Sequence, residues 1–292
     1  MSLSTIRQYY DHTQPFYESF YYKNSKSYAL HYGFWEKGTK TRDETLLNTN
    51  QFLASKAKIA KKDTVLDAGC GVGGSSIWLA KNVGAKVIGI TISEKQVQKA
   101  KELAKENKVE KNTEFLLKNY LKTGFQKESF DVVWAIESVC HSEDKADFLK
   151  EAFRLLKKGG RLVVADGFLR RSPQNKKEGQ LLTDFCEGLA VPNLVKIEGF
   201  KKSLEKTGFK NTVYWDKTNE VRPTSKKLYK MCRRSYPIAK ITEKLKITQN
   251  ILTKNNLAGL AQYEVVECGL ACYGVFYAEK VKTIKKDAGM IS

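Results

Sequence analysis

Short runs of β-branched and other apolar residues alternate with helical stretches between about residues 61 and 167. This alternation is typical of β-α-β units, in which parallel strands form one sheet and helices pack on its faces. The predicted strands are Thr64–Asp67, Lys86–Thr91, Thr113–Leu117, Phe130–Ile136 and Arg161–Gly167. The pattern therefore predicts an α/β fold built on a mostly parallel sheet.

Two of the intervening helices have recognisable ends. Ser93 and Gln96 have the spacing of a capping box directly after the second predicted strand, which predicts that a helix begins there. Between the fourth and fifth strands, apolar residues recur at helical spacing after Ser142, and Gly159 follows them. We expect Ser142 to cap this helix and Gly159 to end it.

Two segments lie outside the alternating core. An aromatic-rich segment extends to residue 41, and a lysine-rich stretch with interspersed apolar residues covers about 217–262, before a last predicted strand at Tyr273–Glu279. No repeat or low-complexity linker separates these segments from the core. We therefore predict an N-terminal cover at 1–41 and a single domain at 42–292, with a helical insertion at about 217–262.

Composition and charge narrow the class of protein. The chain has 51 Lys+Arg against 32 Asp+Glu, a net charge of +19, and no apolar stretch near the roughly 20 residues that span a bilayer. The basic residues are spread out and not interleaved with aromatics, which argues against nucleic acid and favours weak contact with an anionic membrane surface. Six cysteines without paired metal-site spacing, and no signal-peptide pattern, predict a reduced cytoplasmic protein without a metal.

A glycine-rich loop follows the first predicted strand. Asp67 ends the strand, and Gly69, Gly71 and Gly73 alternate with other residues before the next helix. Glycines at alternate positions let the backbone turn sharply and approach a ligand closely. Because the acid precedes the glycines, the loop differs from the pyridine-nucleotide fingerprint, and it fits an amino-acid moiety as well as a pyrophosphate.

Four ordered motifs, D-A-G-C-G-V-G, G-I-T-I-S-E-K-Q, A-I-E-S-V-C-H and L-K-K-G-G-R, resemble those of class I S-adenosylmethionine-dependent methyltransferases. The second and third motifs are similar to those of the tocopherol and sterol side-chain methyltransferases and, more distantly, the cyclopropane fatty acid synthases. The likeness extends over nearly the whole chain. It implies a Rossmann-like, seven-stranded, mostly parallel sheet with helices on both faces, and S-adenosylmethionine as the cofactor.

The resemblance also implies a set of cofactor-binding residues at the strand ends and in the N-terminal cover. Asp67 would meet the cofactor's ammonium group, and neutral Thr91 stands where many methyltransferases hold the ribose with an acid. The full set is Asp67, Gly69, Cys70, Gly71, Gly73, Thr91, Ile92, Gln96, Asn119, Tyr120, Ile136, Tyr10 and His31. The alternative for several of them is a purely structural role, such as loop capping by Asp67 or helix capping around Gln96.

Glu137 and His141 follow the fourth predicted strand four residues apart, at the edge where ligands bind in open α/β sheets. Methyl transfer from a sulfonium depends mostly on alignment, and a base assists where the acceptor holds a proton. Either residue is a candidate base, and Glu137 could instead stabilise a developing cation. Hydrogen bonding within the loop is the alternative for both.

The expected acceptor is a small lipophilic molecule, either a prenylated quinol or a sterol-like compound. Apolar residues of the insertion, among them Leu228, Ile238 and Ile241, would face inward and form an apolar pocket. The alternative acceptor is a small amine, such as a glycine derivative or phosphoethanolamine. Binding or modification of nucleic acid, suggested by the charge, is the alternative of another class, but the sequence lacks the N-P-P-Y and Pro-Cys motifs of base methylation.

Overall fold

The computed structural model describes residues 1–17, 25, 27–29 and 31–281. Its strands are β1 (Thr64–Ala68), β2 (Lys86–Thr91), β3 (Thr113–Leu117), β4 (Phe130–Ile136), β5 (Leu156–Leu169), β6 (Lys210–Asp216) and β7 (Ala271–Lys280). Its α-helices are α1 (Leu3–Tyr17), α2 (Arg42–Lys56), α3 (Gly74–Asn82), α4 (Glu94–Glu106), α5 (Lys145–Leu155), α6 (Lys176–Gly188), α7 (Ile197–Thr207), α8 (Thr218–Lys244) and α9 (Asn250–Glu267).

The strands form one sheet in the order β3-β2-β1-β4-β5-β7-β6. Strands β1 to β5 pair in parallel, and β7 runs antiparallel to its neighbours β5 and β6. This confirms the predicted Rossmann-like, mostly parallel seven-stranded sheet. Strand β5 is longer than predicted because it pairs with β7 from Gly160 to Leu169.

Helices cover both faces of the sheet. Val65 of β1 belongs to an apolar cluster that includes residues of α2, α3 and α4, while its neighbour Leu66 belongs to a cluster with residues of α5 and α7. Successive strand residues point to opposite faces, so both faces of the central strands are buried. This double burial explains why the strands stand out in the sequence as continuous apolar runs.

The ends of α5 differ from the prediction. Asp144, and not Ser142, caps the helix, because its side chain accepts the backbone N–H of Ala146 at 2.8 Å. Ser142 Oγ donates instead to the backbone oxygen of Asp144. The helix ends at Leu155, and β5 starts at the next residue, so Gly159 lies in a strand. The sequence offered two capping side chains two residues apart, and the prediction chose the wrong one.

The start of α4 agrees with the prediction only in part. Ser93 caps the helix and accepts the N–H of Gln96 at 3.3 Å. The side chain of Gln96 does not complete a capping box, because its Oε1 accepts a hydrogen bond from Thr91 Oγ1 at 2.6 Å. Gln96 is thereby fixed against the end of β2.

Helices α8 and α9 connect β6 to β7, and α9 packs against both α8 and α6. The prediction that Ile238 and Ile241 face inward was wrong, since both side chains are exposed. The part of α8 that faces the protein lies earlier, around buried Cys232. The division into a 1–41 cover and a 42–292 domain stays a prediction. Within the described ranges, no helix is long and apolar enough to cross a membrane.

Replacement of Leu66 by alanine tests the core of the sheet. Leu66 of β1 is buried in the apolar cluster that includes residues of α5 and α7. We therefore expect the variant to lose about 2–5 kcal/mol of unfolding free energy. Leu117→Ala is the matched control, because this leucine lies exposed on β3. Urea denaturation should show a loss below about 1 kcal/mol for the control. Equal losses in both variants would contradict this arrangement of the core.

Candidate active site

The glycine-rich loop between β1 and α3 uses left-handed backbone conformations. Gly69, Gly71 and Gly73 have φ values of 85°, 55° and 84°. A Cβ atom on Gly69 would lie 2.4 Å from the Cβ of Ser138, so this glycine lets the loop pack on the end of β4. A Cβ atom on Gly71 would meet nothing within 4 Å, because Gly71 borders a cavity.

This cavity, which we call the first cavity, lies at the carboxyl edge of β1, β2, β3 and β4. Nearly all the residues predicted to form the site line it, namely Tyr10, His31, Asp67, Gly69, Cys70, Gly71, Thr91, Ile92, Gln96, Asn119, Tyr120, Ile136, Glu137 and His141. Gly73 does not line it, because a side chain there would meet the ring of Phe115. Leu3 and Ile6 also line the cavity, so α1 covers it.

Asp67 and Glu137 lie at the ends of adjacent strands β1 and β4. Asp67 Oδ2 accepts a hydrogen bond from Ser76 Oγ at 2.6 Å, and burial raises the pKa of Asp67 to about 6. Neither carboxyl group forms a salt bridge with a described residue. Two buried acids without a salt bridge to a described residue make the first cavity complementary to a cationic ligand.

Glu137 is held in a strained backbone conformation. Its φ is 48°, in the left-handed region that non-glycine residues rarely adopt, and such strain typically occurs at functional sites. Its Oε1 accepts the N–H of Tyr32 at 2.7 Å and the hydroxyl of Tyr273 at 2.9 Å. Burial raises the pKa of Glu137 to about 8. A cation within about 4–6 Å would favour the charged carboxylate.

His141 lines the first cavity with an imidazole ring whose two nitrogens are both hydrogen-bonded. Its Nδ1 lies 2.9 Å from the backbone oxygen of Ala190, and its Nε2 lies 2.6 Å from the hydroxyl of Tyr10. Because a carbonyl oxygen only accepts, we assign the proton to Nδ1, and Nε2 accepts from Tyr10. Burial lowers the pKa of His141 to about 4, so the imidazole is neutral at pH 7. Nε2 can accept a ligand proton when Tyr10 moves away.

A buried lysine that the sequence analysis missed positions the His141 loop. Lys145 Nζ donates to the backbone oxygens of Cys140 and Ser142 at 2.9 Å and 2.5 Å. It also donates to Asn193 Oδ1 at 3.0 Å, in the same loop as Ala190. Lys145 therefore joins the two segments that hold the imidazole ring on either side.

The residues expected to contact ribose and adenine already make local hydrogen bonds. Thr91 donates to Gln96, as described above, which leaves the amide N–H groups of Gln96 as donors. Asn119 Oδ1 accepts the N–H of Leu121 at 2.9 Å, and Tyr120 donates its hydroxyl to the backbone oxygen of Ser138. The structure brings these side chains to one end of the first cavity, and their contact with the cofactor stays a prediction.

His31 carries a buried polar atom that fits a ligand. Its Nδ1 lies 2.9 Å from the backbone oxygen of Tyr32 and donates to it, which leaves Nε2 as an acceptor. Nε2 is buried and has no hydrogen-bond partner among the described residues. An unsatisfied buried acceptor is costly, so a donor group such as an ammonium would be favoured beside it.

A second cavity, of about 280 Å³, meets the first at Tyr10, His31, Glu137 and His141. Its further walls are largely apolar residues of α6, α8 and α9 and of the segment after α6, including Phe185, Leu189, Val191, Leu194, Leu228, Met231, Cys232 and Gly259. The polar residues that line it and that the sequence analysis missed are Tyr9, Tyr32, Arg42, Asp166, Thr224, Asn255, Asn256, Gln262 and Tyr273. Only Asp166 had a sequence signal, as an acid within the apolar run V-V-A-D-G.

The sheet order, the glycine loop after β1 and a cavity with buried acids define a Rossmann-like class of enzyme that binds a cationic cofactor at its carboxyl edge. A family described as a methyltransferase domain matches residues 59–234, so the chain belongs to this family. The cofactor is S-adenosylmethionine, which supplies an electrophilic methyl group when bound. Asp67, His31 and Glu137 fit its positive charges.

Two curated relatives agree with the resemblance found in the sequence. The chain is 44% identical to the 2-methyl-6-phytyl-1,4-hydroquinone methyltransferase of Synechocystis sp. over 148 residues, or 50% of the chain and 46% of the relative. It is 28% identical to the sterol 24-C-methyltransferase of Saccharomyces cerevisiae over 218 residues, or 72% of the chain and 56% of the relative. These matches cover only about half of each relative's length. The likeness to cyclopropane fatty acid synthases stays a prediction.

A solved structure shows the same fold over almost the whole chain. The geranyl diphosphate C-methyltransferase of Streptomyces coelicolor A3(2) superposes with a TM-score of 0.74. The match covers 95% of this chain and 97% of the other, at 20% sequence identity. The resemblance in fold therefore extends beyond the central sheet into helices α8 and α9, which are together longer than the uncovered part of the chain.

Replacement of Gly71 by valine should abolish cofactor binding. A branched side chain at this positive φ would project into the first cavity. Gly38→Val is the matched control, since Gly38 also has a positive φ and open space but lies outside the cavity. Calorimetric titration with S-adenosylhomocysteine should give no binding for the folded Gly71 variant and wild-type affinity for the control. Wild-type affinity in both would contradict this position of the loop.

Glu137→Gln should change how the stability of the unliganded protein depends on pH. The folded-state pKa of Glu137, about 8, exceeds the ordinary value of 4.5, so between these values the folded protein holds one proton more than the unfolded chain. The wild-type unfolding free energy should therefore fall, relative to the variant, as pH rises from 4.5 through 8. The fall should reach a few kcal/mol, since one pKa unit corresponds to about 1.4 kcal/mol.

Urea denaturation across this pH range measures the effect. The control is Glu205→Gln, at an exposed position on α7, which should follow the wild-type curve. Parallel curves for wild type and Glu137→Gln would show that Glu137 is not protonated in the folded state.

Proposed function

We propose that this methyltransferase acts on a lipophilic acceptor whose polar head lies between Glu137 and His141. The observation that carries the proposal is the second cavity, which is largely apolar and meets the first cavity at these two residues. An acceptor with its apolar part along α6, α8 and α9 would thus have its head beside the transferable methyl group. Cavities with apolar walls and a few convergent polar groups are typical of small-molecule sites.

The relatives support an acceptor of this kind. One of them is named for a phytyl hydroquinone, a molecule with an apolar tail and a hydroxyl-bearing head. The other is named for methylation at carbon 24 of sterols, a side-chain carbon, so it supports a lipophilic acceptor but not a reaction at the hydroxyl. A small amine would leave the apolar walls along α6, α8 and α9 without contacts, which favours a larger lipophilic acceptor. Neither relative nor the matched family is named for nucleic acid.

His141 is proposed to receive the hydroxyl proton of the acceptor head at Nε2, in the place of Tyr10. The imidazole is neutral at pH 7 and has its other nitrogen held by Ala190, so the accepting lone pair is correctly oriented. Loss of this proton makes the oxygen, and in a phenol also the adjacent ring carbons, more nucleophilic. The bound cofactor would supply the methyl group to this oxygen or carbon, and His141 would release the proton to solvent. After attack by a ring carbon, the hydrogen of that carbon would move to the oxygen and restore the phenol.

Glu137 is proposed to orient the reacting groups. Its carboxyl group is fixed by Tyr32 and Tyr273 at the junction of the two cavities. In the presence of a sulfonium it would ionise and stabilise the positive charge of the cofactor's methyl end. Positioning of the two reactants in line supplies most of the acceleration for this type of transfer.

We propose a reducing compartment such as the cytoplasm for this enzyme. All six cysteines are free thiols, and those at 140 and 232 line the second cavity. Free thiols persist where the redox buffer is reducing.

Leu228→Trp tests the second cavity as the acceptor site. The larger side chain on α8 would occupy acceptor space, so we expect kcat/KM on a prenylated hydroquinone to fall at least about 10-fold. A 10-fold fall corresponds to a loss of about 1.4 kcal/mol in transition-state stabilisation. Affinity for S-adenosylhomocysteine should be unchanged, because Leu228 does not line the first cavity. The matched control is Leu47→Trp, at an exposed position on α2. Full activity of the Leu228 variant on every acceptor used by the wild type would place the acceptor elsewhere.

A further inference from the structure

The C-terminal part of α8 and the turn that follows it expose large aliphatic side chains. Ile238, Ile241, Leu245 and Ile247 are 63%, 59%, 63% and 69% exposed. Arg234, Ile238, Ile241 and Leu245 follow one another at spacings of four, three and four residues, so they share one side of the helix. We call residues 234–247 the α8 tip. None of its four aliphatic side chains belongs to an apolar core cluster of the described residues.

Positive charge surrounds this aliphatic face. Between residues 226 and 254 the only acidic residue is Glu243, and the basic residues are Lys226, Lys227, Lys230, Arg233, Arg234, Lys240, Lys244, Lys246 and Lys254. Among the described residues, only Lys254 of this group forms a salt bridge, with Glu187 of α6. The other eight basic side chains therefore contribute a positive potential that the protein does not neutralise locally.

We propose that the α8 tip docks on an anionic lipid bilayer. Ile238, Ile241, Leu245 and Ile247 would enter the boundary between headgroups and acyl chains, and the surrounding lysines and arginines would lie at the level of the phosphates. A helix that combines an exposed aliphatic face with many basic and few acidic residues has the properties of an interfacial helix. The charge complementarity selects anionic lipid over a neutral surface.

The position of the tip is suited to a lipid-dissolved acceptor. Leu228 and Cys232 of the same helix line the second cavity, and Ile238 lies six residues beyond Cys232, or about 9 Å along the helix axis. The tip would thus hold the acceptor cavity close to the bilayer. This link to the acceptor rests on the proposed function, whereas the docking itself depends only on the surface of α8.

Flotation with vesicles tests the docking. The probes are vesicles of phosphatidylcholine alone and of equimolar phosphatidylcholine and phosphatidylglycerol. We expect the protein to bind the second kind only and to be released in about 1 M salt, where the Debye length is about 3 Å. Lys240→Glu, Lys244→Glu and Lys246→Glu together should weaken binding by about 100-fold or more, since each lysine near the surface contributes about 5-fold.

The matched control carries the same change on another helix. Lys201→Glu, Lys202→Glu and Lys206→Glu lie at exposed positions of α7 and should lower binding far less. A second variant, Ile238→Ser with Ile241→Ser, should reduce binding while it leaves S-adenosylhomocysteine affinity unchanged, because neither residue lines the first or the second cavity.

Several outcomes would overturn the docking proposal. They are absence of binding to the anionic vesicles, equal losses in the α8 and α7 triple variants, and full binding by the isoleucine variant. A dimer in sedimentation velocity that the isoleucine changes dissociate would assign the surface to a second copy of the chain. Activity on an acceptor dissolved in detergent is measured without vesicles, so it tests the proposed function independently.

Discussion

The site depends on two buried carboxyl groups that the protein does not neutralise. Asp67 and Glu137 end the adjacent strands β1 and β4, and burial raises the pKa of each. A folded chain tolerates such acids when hydroxyl and amide donors hold them, here from Ser76 and Tyr32 among others, and when a cation is available. The glycine loop and the α1 cover surround these groups, and both carboxyl groups line the first cavity.

The part of this site that could be predicted from the sequence is the part that local motifs specify. Parallel strands end at one edge of the sheet, so Asp67, Thr91 and Glu137 had to lie near one another once the strands were recognised. Tyr273 and Tyr32 could not be found in this way, because antiparallel pairing of β7 and the path of the chain before α2 bring them to Glu137. The carbonyl of residue 190, which orients the imidazole of His141, carries no side-chain signal at all.

Amphipathic periodicity predicted the helices of the insertion but not the direction of their apolar residues. Leu228 and Cys232 line the second cavity, whereas Ile238 and Ile241, farther along α8, are exposed. A helical period predicts that apolar residues share one side of the helix, but tertiary packing decides whether that side contacts the protein or solvent. Helix α9 packs beside the final turns of α8, where Thr253 Oγ1 donates to the backbone oxygen of Ala239, and it leaves the side with Ile238 and Ile241 exposed.

Tyr10 connects the α1 cover to the candidate base His141. The Tyr10 hydroxyl donates a hydrogen bond to His141 Nε2, and Tyr10 lines both cavities. Helix α1 therefore contacts the nitrogen that would accept the proton of an acceptor hydroxyl. Ser93 Oγ donates to Asp11 of the same helix at 2.6 Å, which joins the cover to the start of α4. Both hydrogen bonds belong to one helix, so a ligand that displaces Tyr10 from the imidazole must act on the same helix that Asp11 joins to the start of α4.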